Sequence, residues 1–216
     1  MPPLSPDLVS NMTNYEETRA TFQLTVPEYF NFTTDTFEKW AADPTRVALL
    51  VASPRGDRID EYTFAQLSAL ANQFAQALLK RGIKKGERVL VMLPRIHQWF
   101  AALLGMFKIG VLPIPTTAQC TARDLLYRLE KADVAGVLTD PANSTKFDEI
   151  RPDLPKLKFQ CLVQWDQAAI NKVIANDWEF FDEVTAAEST VFTPAEKTRS
   201  SDPLLLYFTS GTVAHP

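Results

Sequence analysis

Apolar side chains in this chain recur with two different periods, and the switches between them mark out its elements. In "YTFAQLSALANQFAQALLKRG", Phe64, Leu67, Leu70, Phe74 and Leu78 return every 3 or 4 residues, the spacing of one helix face. Thr63 and Gln66 form a capping box at its start, and Gly82 stands where a helix-ending glycine belongs. Elsewhere the apolar residues come in short unbroken runs. "RVLVML" (88–93), closed by Pro94, has the pattern of a parallel strand buried on both faces. "VALLVAS" (47–53), "VLPIP" (111–115), "VAGVLTD" (134–140) and "KFQCLV" (158–163) also read as strands, with Pro113 restricting its run to an edge or a short piece.

Between these runs the helical period returns. It predicts helices at "HQWFAALLGMFKIG" (97–110), stopped by glycine, and at "TARDLLYRLEKA" (121–132), where Thr121 caps and Asp124 lies in the first turn. Shorter helices are expected around Thr34–Ala42, near Thr145–Ile150 and over 177–184. Residues 1–30 carry few periodic apolar positions and read as a surface arm, leaving 31–216 as the folded part. Thr185–Pro203 is a polar loop that feeds "LLLYF" (204–208), expected to be a buried strand. Alternation of this kind implies an α/β fold: a mostly parallel sheet with helices on both faces.

Composition narrows the function classes. The 216 residues are 46% hydrophobic and 22% charged, ordinary for a globular domain, with a net charge of −4 that offers no footprint for nucleic acid. The one basic run, Lys80–Arg88, reads as a solvated turn. Two cysteines, Cys120 and Cys161, make no disulfide framework or metal pattern; they suit a reducing, cytoplasmic setting and read as inert buried thiols. Two histidines are too few and too distant for a metal site. The most apolar stretch, Trp99–Pro115, falls short of the ~20 residues of a membrane span and is interrupted by Lys108.

Candidate chemistry gathers at the last expected strand. In open parallel sheets ligands bind beyond the carboxyl ends of the strands, and "TSGT" follows "LLLYF" directly. Thr209, Ser210 and Thr212 bring hydroxyls, and Gly211 lets the backbone approach a ligand. Successive amides in such a turn form an anion nest, although neither common glycine-rich nucleotide motif is present. On residue types alone, a turn that binds nothing stays open. His97 reads as a helix-start packing residue, Arg95 as a partner in an interhelix ion pair, and Trp99, Phe100 and Phe107 as a core stripe.

"YFTSGTVAHP" resembles the phosphate loop of the adenylate-forming (AMP-binding) enzymes, aromatic-Thr-Ser-Gly-Thr-Thr-Gly-x-Pro-Lys. Tyr207, Phe208, Thr209, Ser210, Gly211, Thr212 and Pro216 match. Val213 stands where the family has Thr or Ser, Ala214 replaces its second glycine, and His215 falls on the variable position. Upstream, "LPRIHQWFAALLG", "TARDLLYRLEKADVAGVLTD" and "VPEYFNFTTDTFEKWA" are similar to the medium-chain acyl-CoA synthetase and benzoate-type CoA ligase branch, so the resemblance spans roughly 27–216.

The resemblance implies a reaction in which a medium-chain or aromatic acid and ATP, with Mg²⁺, give an acyl-adenylate that coenzyme A converts to a thioester. It implies a phosphate-binding loop at Thr209, Ser210, Gly211, Thr212, Val213, Ala214, His215 and Pro216. The family's adenine segment, its Mg²⁺-associated acidic residue and its catalytic lysine lie beyond that loop. No catalytic residue and no metal ligand is therefore expected here, and the chain reads as an inactive N-terminal part of a larger ligase. A non-catalytic nucleotide-binding or interaction module is the alternative, and homo-oligomerisation stays open.

Overall fold

A computed structural model describes residues 14–53, 56–153, 157–165 and 178–209. Five strands form a parallel sheet: β3 (Arg88–Met92), β4 (Leu112–Pro115), β5 (Val134–Thr139), β6 (Phe159–Leu162) and β7 (Glu179–Phe180), in the order β4-β3-β5-β6-β7. The crossovers are α4 (His97–Lys108) between β3 and β4, α5 (Ala122–Lys131) between β4 and β5, and α6 (Pro141–Glu149) after β5. α3 (Phe64–Lys80) precedes β3, and α7 (Phe181–Ala186) follows β7.

The strands bury both faces, and their period of two sorts the core into two layers. Val89 and Val91 of β3 join Phe74 and Leu78 of α3, Met106 of α4 and Phe181 of α7. Leu90 and Met92 point the other way, onto Leu125 and Leu129 of α5 and Phe147 of α6. α3 and α4 pack most closely at Gly105, where a Cβ would lie 2.6 Å from the carbonyl oxygen of Ala71. α3 begins on the Thr63–Gln66 capping box and ends before Gly82, whose φ of +76° is the left-handed conformation a helix stop requires.

Several expectations are corrected. The run at 47–53 forms β1 (Val47–Ala52), but it pairs antiparallel with β2 (Ile59–Thr63) in a separate hairpin. β2 escaped notice because "IDEYT" is mostly polar and lies half-exposed. The expected helix over 177–184 divides into β7 and α7. α6 starts at Pro141, because Asp140 accepts a hydrogen bond from the Asn143 amide (2.9 Å) and proline occupies the first helical position.

The largest correction concerns "LLLYF". Residues 204–208 are neither a strand nor buried: Leu204 is 47% and Tyr207 61% exposed. The segment runs along the outer edge of β4 and makes one backbone bond to it, from the Leu206 N–H to the Pro113 carbonyl (3.1 Å). The amides of Leu112 and Thr116 are spent on the β3 side, bonding Glu87 and Val91. The outward positions of β4 are Pro113 and Pro115, which have no N–H to give, so no ladder can form there.

The arm carries a helix of its own, α1 (Tyr15–Thr21), exposed throughout. One turn of π-helix at Phe32–Phe37 then leads into α2 (Glu38–Ala41). Among the described residues no helix is long and apolar enough to cross a membrane.

Candidate functional site

Strand order creates the site. The chain leaves β3, passes through α4 to β4 on one side, then returns through α5 to β5 on the other. Loops diverge from the carboxyl ends at such a reversal and leave a crevice. A cleft of about 820 Å³ opens there. Leu93, Pro94 and Arg95 after β3, Thr116 and Thr117 after β4, and Asp140 after β5 wall it, with Tyr207 and Phe208 closing one side.

Its charge is cationic. Arg95 is exposed and makes no ion pair among the described residues, so the expected interhelix pair is corrected. Arg128, on α5, holds its guanidinium 5.1 Å from the centroid of the Phe208 ring. The carboxylate in the wall, Asp140, is 2% exposed and already engaged. Its Oδ1 accepts from the Asn143 amide and Nδ2, both at 2.9 Å, and its Oδ2 accepts from Trp165 Nε1 at 3.1 Å. Asp140 therefore caps α6 and braces Trp165 on the rim. Three hydrogen bonds hold its carboxylate in that position. Lys146 donates to the Ala118 carbonyl and fixes the loop after β4.

Thr209, exposed, follows Phe208 directly. Ser210, Gly211, Thr212, Val213, Ala214, His215 and Pro216 lie outside the described residues. Arg128, Asp140 and Trp165 were not singled out from the sequence. Asp140 before Pro141 is a cap signal that would have located the end of β5, whereas nothing in the α5 pattern marks which face Arg128 shares with the cleft.

Other candidates stand apart from the cleft. His97 stacks on Tyr62, ring centroids 4.2 Å apart, and burial holds its imidazole below the usual histidine range, the packing role expected. Cys120 and Cys161 are buried thiols pushed up by burial, Cys161 the more strongly. Trp99, Phe100 and Phe107 are half-buried: Trp99 and Phe107 pack against the core as the expected stripe requires, but none is fully enclosed. The opposite side of α4, including Gln98, Ala101, Ala102 and Gly105, takes the buried positions. The three aromatics instead wall an apolar groove of about 300 Å³ with Phe32, Phe37 and Leu49.

Comparison with known proteins agrees with this architecture. Residues 36–216 match the sequence profile described as AMP-binding enzyme. Acyl-coenzyme A synthetase ACSM3, mitochondrial, of Pongo abelii is 28% identical over 213 residues, covering 95% of this chain and 35% of that protein. Acyl-coenzyme A synthetase ACSM4, mitochondrial, of Rattus norvegicus is 30% identical over 201 residues, covering 88% and 33%. The chain thus spans about a third of the length of the curated relatives it matches. Among solved structures, an acyl-CoA synthetase from Brucella canis superposes with a TM-score of 0.77 at 24% identity, over 92% of this chain and 36% of that one. The anthranilate CoA ligase AuaEII in complex with anthranoyl-AMP gives 0.74 at 22% identity, over 88% and 34%. With the sheet, its reversal and the segment leading to Thr209 in place, the profile match across most of its length makes this chain a member of the AMP-binding enzyme family.

Proposed function

We propose that this chain is the N-terminal part of an ATP-dependent acid–CoA ligase, which activates a medium-chain or aromatic carboxylic acid as its adenylate and passes the acyl group to coenzyme A. The observation that supports this reading is that Tyr207 and Phe208, which directly precede Thr-Ser-Gly-Thr, wall a cationic cleft at the carboxyl ends of parallel strands. Pyrophosphate departs with several negative charges, and fixed donors aimed at it lower the barrier more than mobile water does. Thr209, Ser210 and Thr212 offer hydroxyls, and the turn around Gly211 offers backbone amides. Val213 and Ala214 remove a hydroxyl and a glycine from the family pattern, leaving the amides to carry more of the contact.

Arg95 and Arg128 suit the same anion, because among the described residues the one carboxylate in the wall, Asp140, is already hydrogen-bonded. Among the described residues no three acidic, histidine or cysteine side chains gather where they could hold Mg²⁺, and Asp140 already accepts three hydrogen bonds. The chain alone is expected to be inactive, since it spans about a third of the relatives' length. Two buried free cysteines support a reducing compartment, and cell fractionation decides between the cytoplasm and the mitochondria named for the relatives.

Acid-dependent ATP–pyrophosphate exchange tests the reading. The protein of which this chain is a part is expected to show it, with Thr209→Ala lowering the rate by about 10²-fold, the usual cost of one such donor. Mg·ATP binding with no exchange for any carboxylic acid would favour the alternative, a non-catalytic nucleotide-binding module, which the Val213 and Ala214 departures also suit.

A further inference from the structure

The segment 203–209 carries the first residue of the phosphate loop yet has no ladder to hold it. With a single backbone bond to β4, and Leu206 and Phe208 packed on the core, its register depends on what fixes its two ends. At the upper end Phe208 is wedged between Arg128 and the Tyr127 ring, whose centroid is 6.3 Å away. At the lower end stands a clasp that joins three distant parts of the chain. Asn31 Nδ2 donates to Thr198 Oγ1 (3.0 Å) and to the carbonyls of Phe107 (2.8 Å) and Lys108 (3.2 Å), the last turn of α4. Thr198, 9% exposed, donates its hydroxyl to the Phe30 carbonyl (2.8 Å), and the Phe30 amide donates back to the Thr198 carbonyl (3.2 Å). A β-bridge between Tyr29 and Arg199 continues the pairing, and Asp202 closes it by accepting from the Arg199 amide (2.8 Å) and from Lys85 (3.0 Å).

We propose that Asn31 and Thr198 are positioning residues for the phosphate loop: their clasp ties the base of segment 203–209 to the end of α4 and thereby fixes where Thr209 enters the cleft. This rests on the phosphate-binding reading of Thr209. The physical reason is the pair of prolines in β4. With no edge donors to template a strand, the segment's register is set by side-chain bonds at its root, and α4 is rigid because it is packed into the core. A hydrogen bond between partly buried groups is well suited to this, since breaking it leaves polar atoms without partners.

Hydrogen exchange of the 216-residue chain tests this without any ligand. Thr198→Val keeps the side chain's shape and removes the hydroxyl. The amide of Leu206, which bonds the Pro113 carbonyl, is expected to exchange about tenfold faster in this variant, while those of β3 and β5 stay unchanged. Thr198→Ser, which restores the hydroxyl, is expected to exchange like the wild type, and Asn31→Ala like Thr198→Val. Unchanged exchange at Leu206, or faster exchange shared equally by β3 and β5, would overturn the proposal. Titration with Mg·ATP and with inorganic pyrophosphate separates it from the reading beneath. A wild-type chain that binds neither probe while the exchange difference persists sinks the phosphate reading and leaves the clasp standing. Binding by the wild type is expected to weaken about tenfold in Thr198→Val and to return in Thr198→Ser.

Discussion

Two apolar runs of equal length, "RVLVM" and "LLLYF", end up in opposite circumstances. The first is β3, hydrogen-bonded to β4 on one side and β5 on the other, with Val89, Leu90, Val91 and Met92 all fully buried. The second lies along the outer edge of β4 with one backbone bond and with Leu204 and Tyr207 open to solvent. Hydrophobicity does not separate them. What differs is the neighbour: β3 faces strands whose amides are free to pair, whereas 204–208 faces Pro113 and Pro115. A strand is made by its partner's donors as much as by its own side chains.

The sharpest test of this contrast is truncation on each side of it. Leu90→Ala removes a fully buried side chain from between α5 and the sheet and is expected to cost about 2–5 kcal/mol. Leu204→Ala, at a half-exposed position, is expected to stay within about 0.5 kcal/mol. Thermal or urea unfolding of both variants decides, and equal losses would erase the distinction.

A smaller effect should come from restoring the missing donor. The segment runs parallel to β4, since Pro203 and Leu204 line one pocket with Gly110 and Val111 while Tyr207 and Phe208 border the cleft at Pro115. In that register the Leu206 carbonyl would take its bond from the amide of residue 115. Pro115→Ala supplies that amide. The expected gain is about 1 kcal/mol locally, seen as slower exchange at Leu206, and is offset globally by the looser unfolded chain. No change at Leu206 would mean the prolines are not what keeps the ladder from forming.

The smallest effect concerns the hairpin, whose Tyr62 rests on His97. Burial lowers the folded-state pKa of His97, only partly offset by Asp182 and Asp60, so the unfolded chain binds the extra proton more readily. Stability is therefore complete above the unfolded value of about 6.5 and falls as pH drops through it towards the folded value. Unfolding midpoints measured from pH 7.5 to 5 are expected to decline, and His97→Gln should flatten that part of the curve.

Much of the site's setting was legible in the sequence because it depends on local chemistry. Thr63 and Gln66 cap α3 as their spacing requires, Gly82 ends it, and the buried run of β3 marks the centre of the sheet. The basic run Lys80–Arg88 looked like a solvated turn. It is a surface turn, with Lys80 and Lys84 exposed, and its cations are met by carboxylates from other segments: Glu188 at Lys80, Glu179 at Arg81, Asp202 at Lys85 and Asp133 at Arg88. No local signal could announce those partners, because they are brought in by the fold.

The division follows range. Period, caps and turn residues act over a few positions, and from these came the strand–helix alternation, the α/β class and the Thr-Ser-Gly-Thr turn that links the chain to its family. Pairing, burial and charge compensation act between residues far apart in the chain, and only the folded molecule decided them. It paired β1 with β2 outside the main sheet, left 204–208 without a ladder, set Arg128 and Asp140 on the cleft wall, and joined Asn31 to Thr198 at the root of the loop's stem. An N–H donor or a carboxylate has value only where its partner stands, and that position is a property of the whole fold.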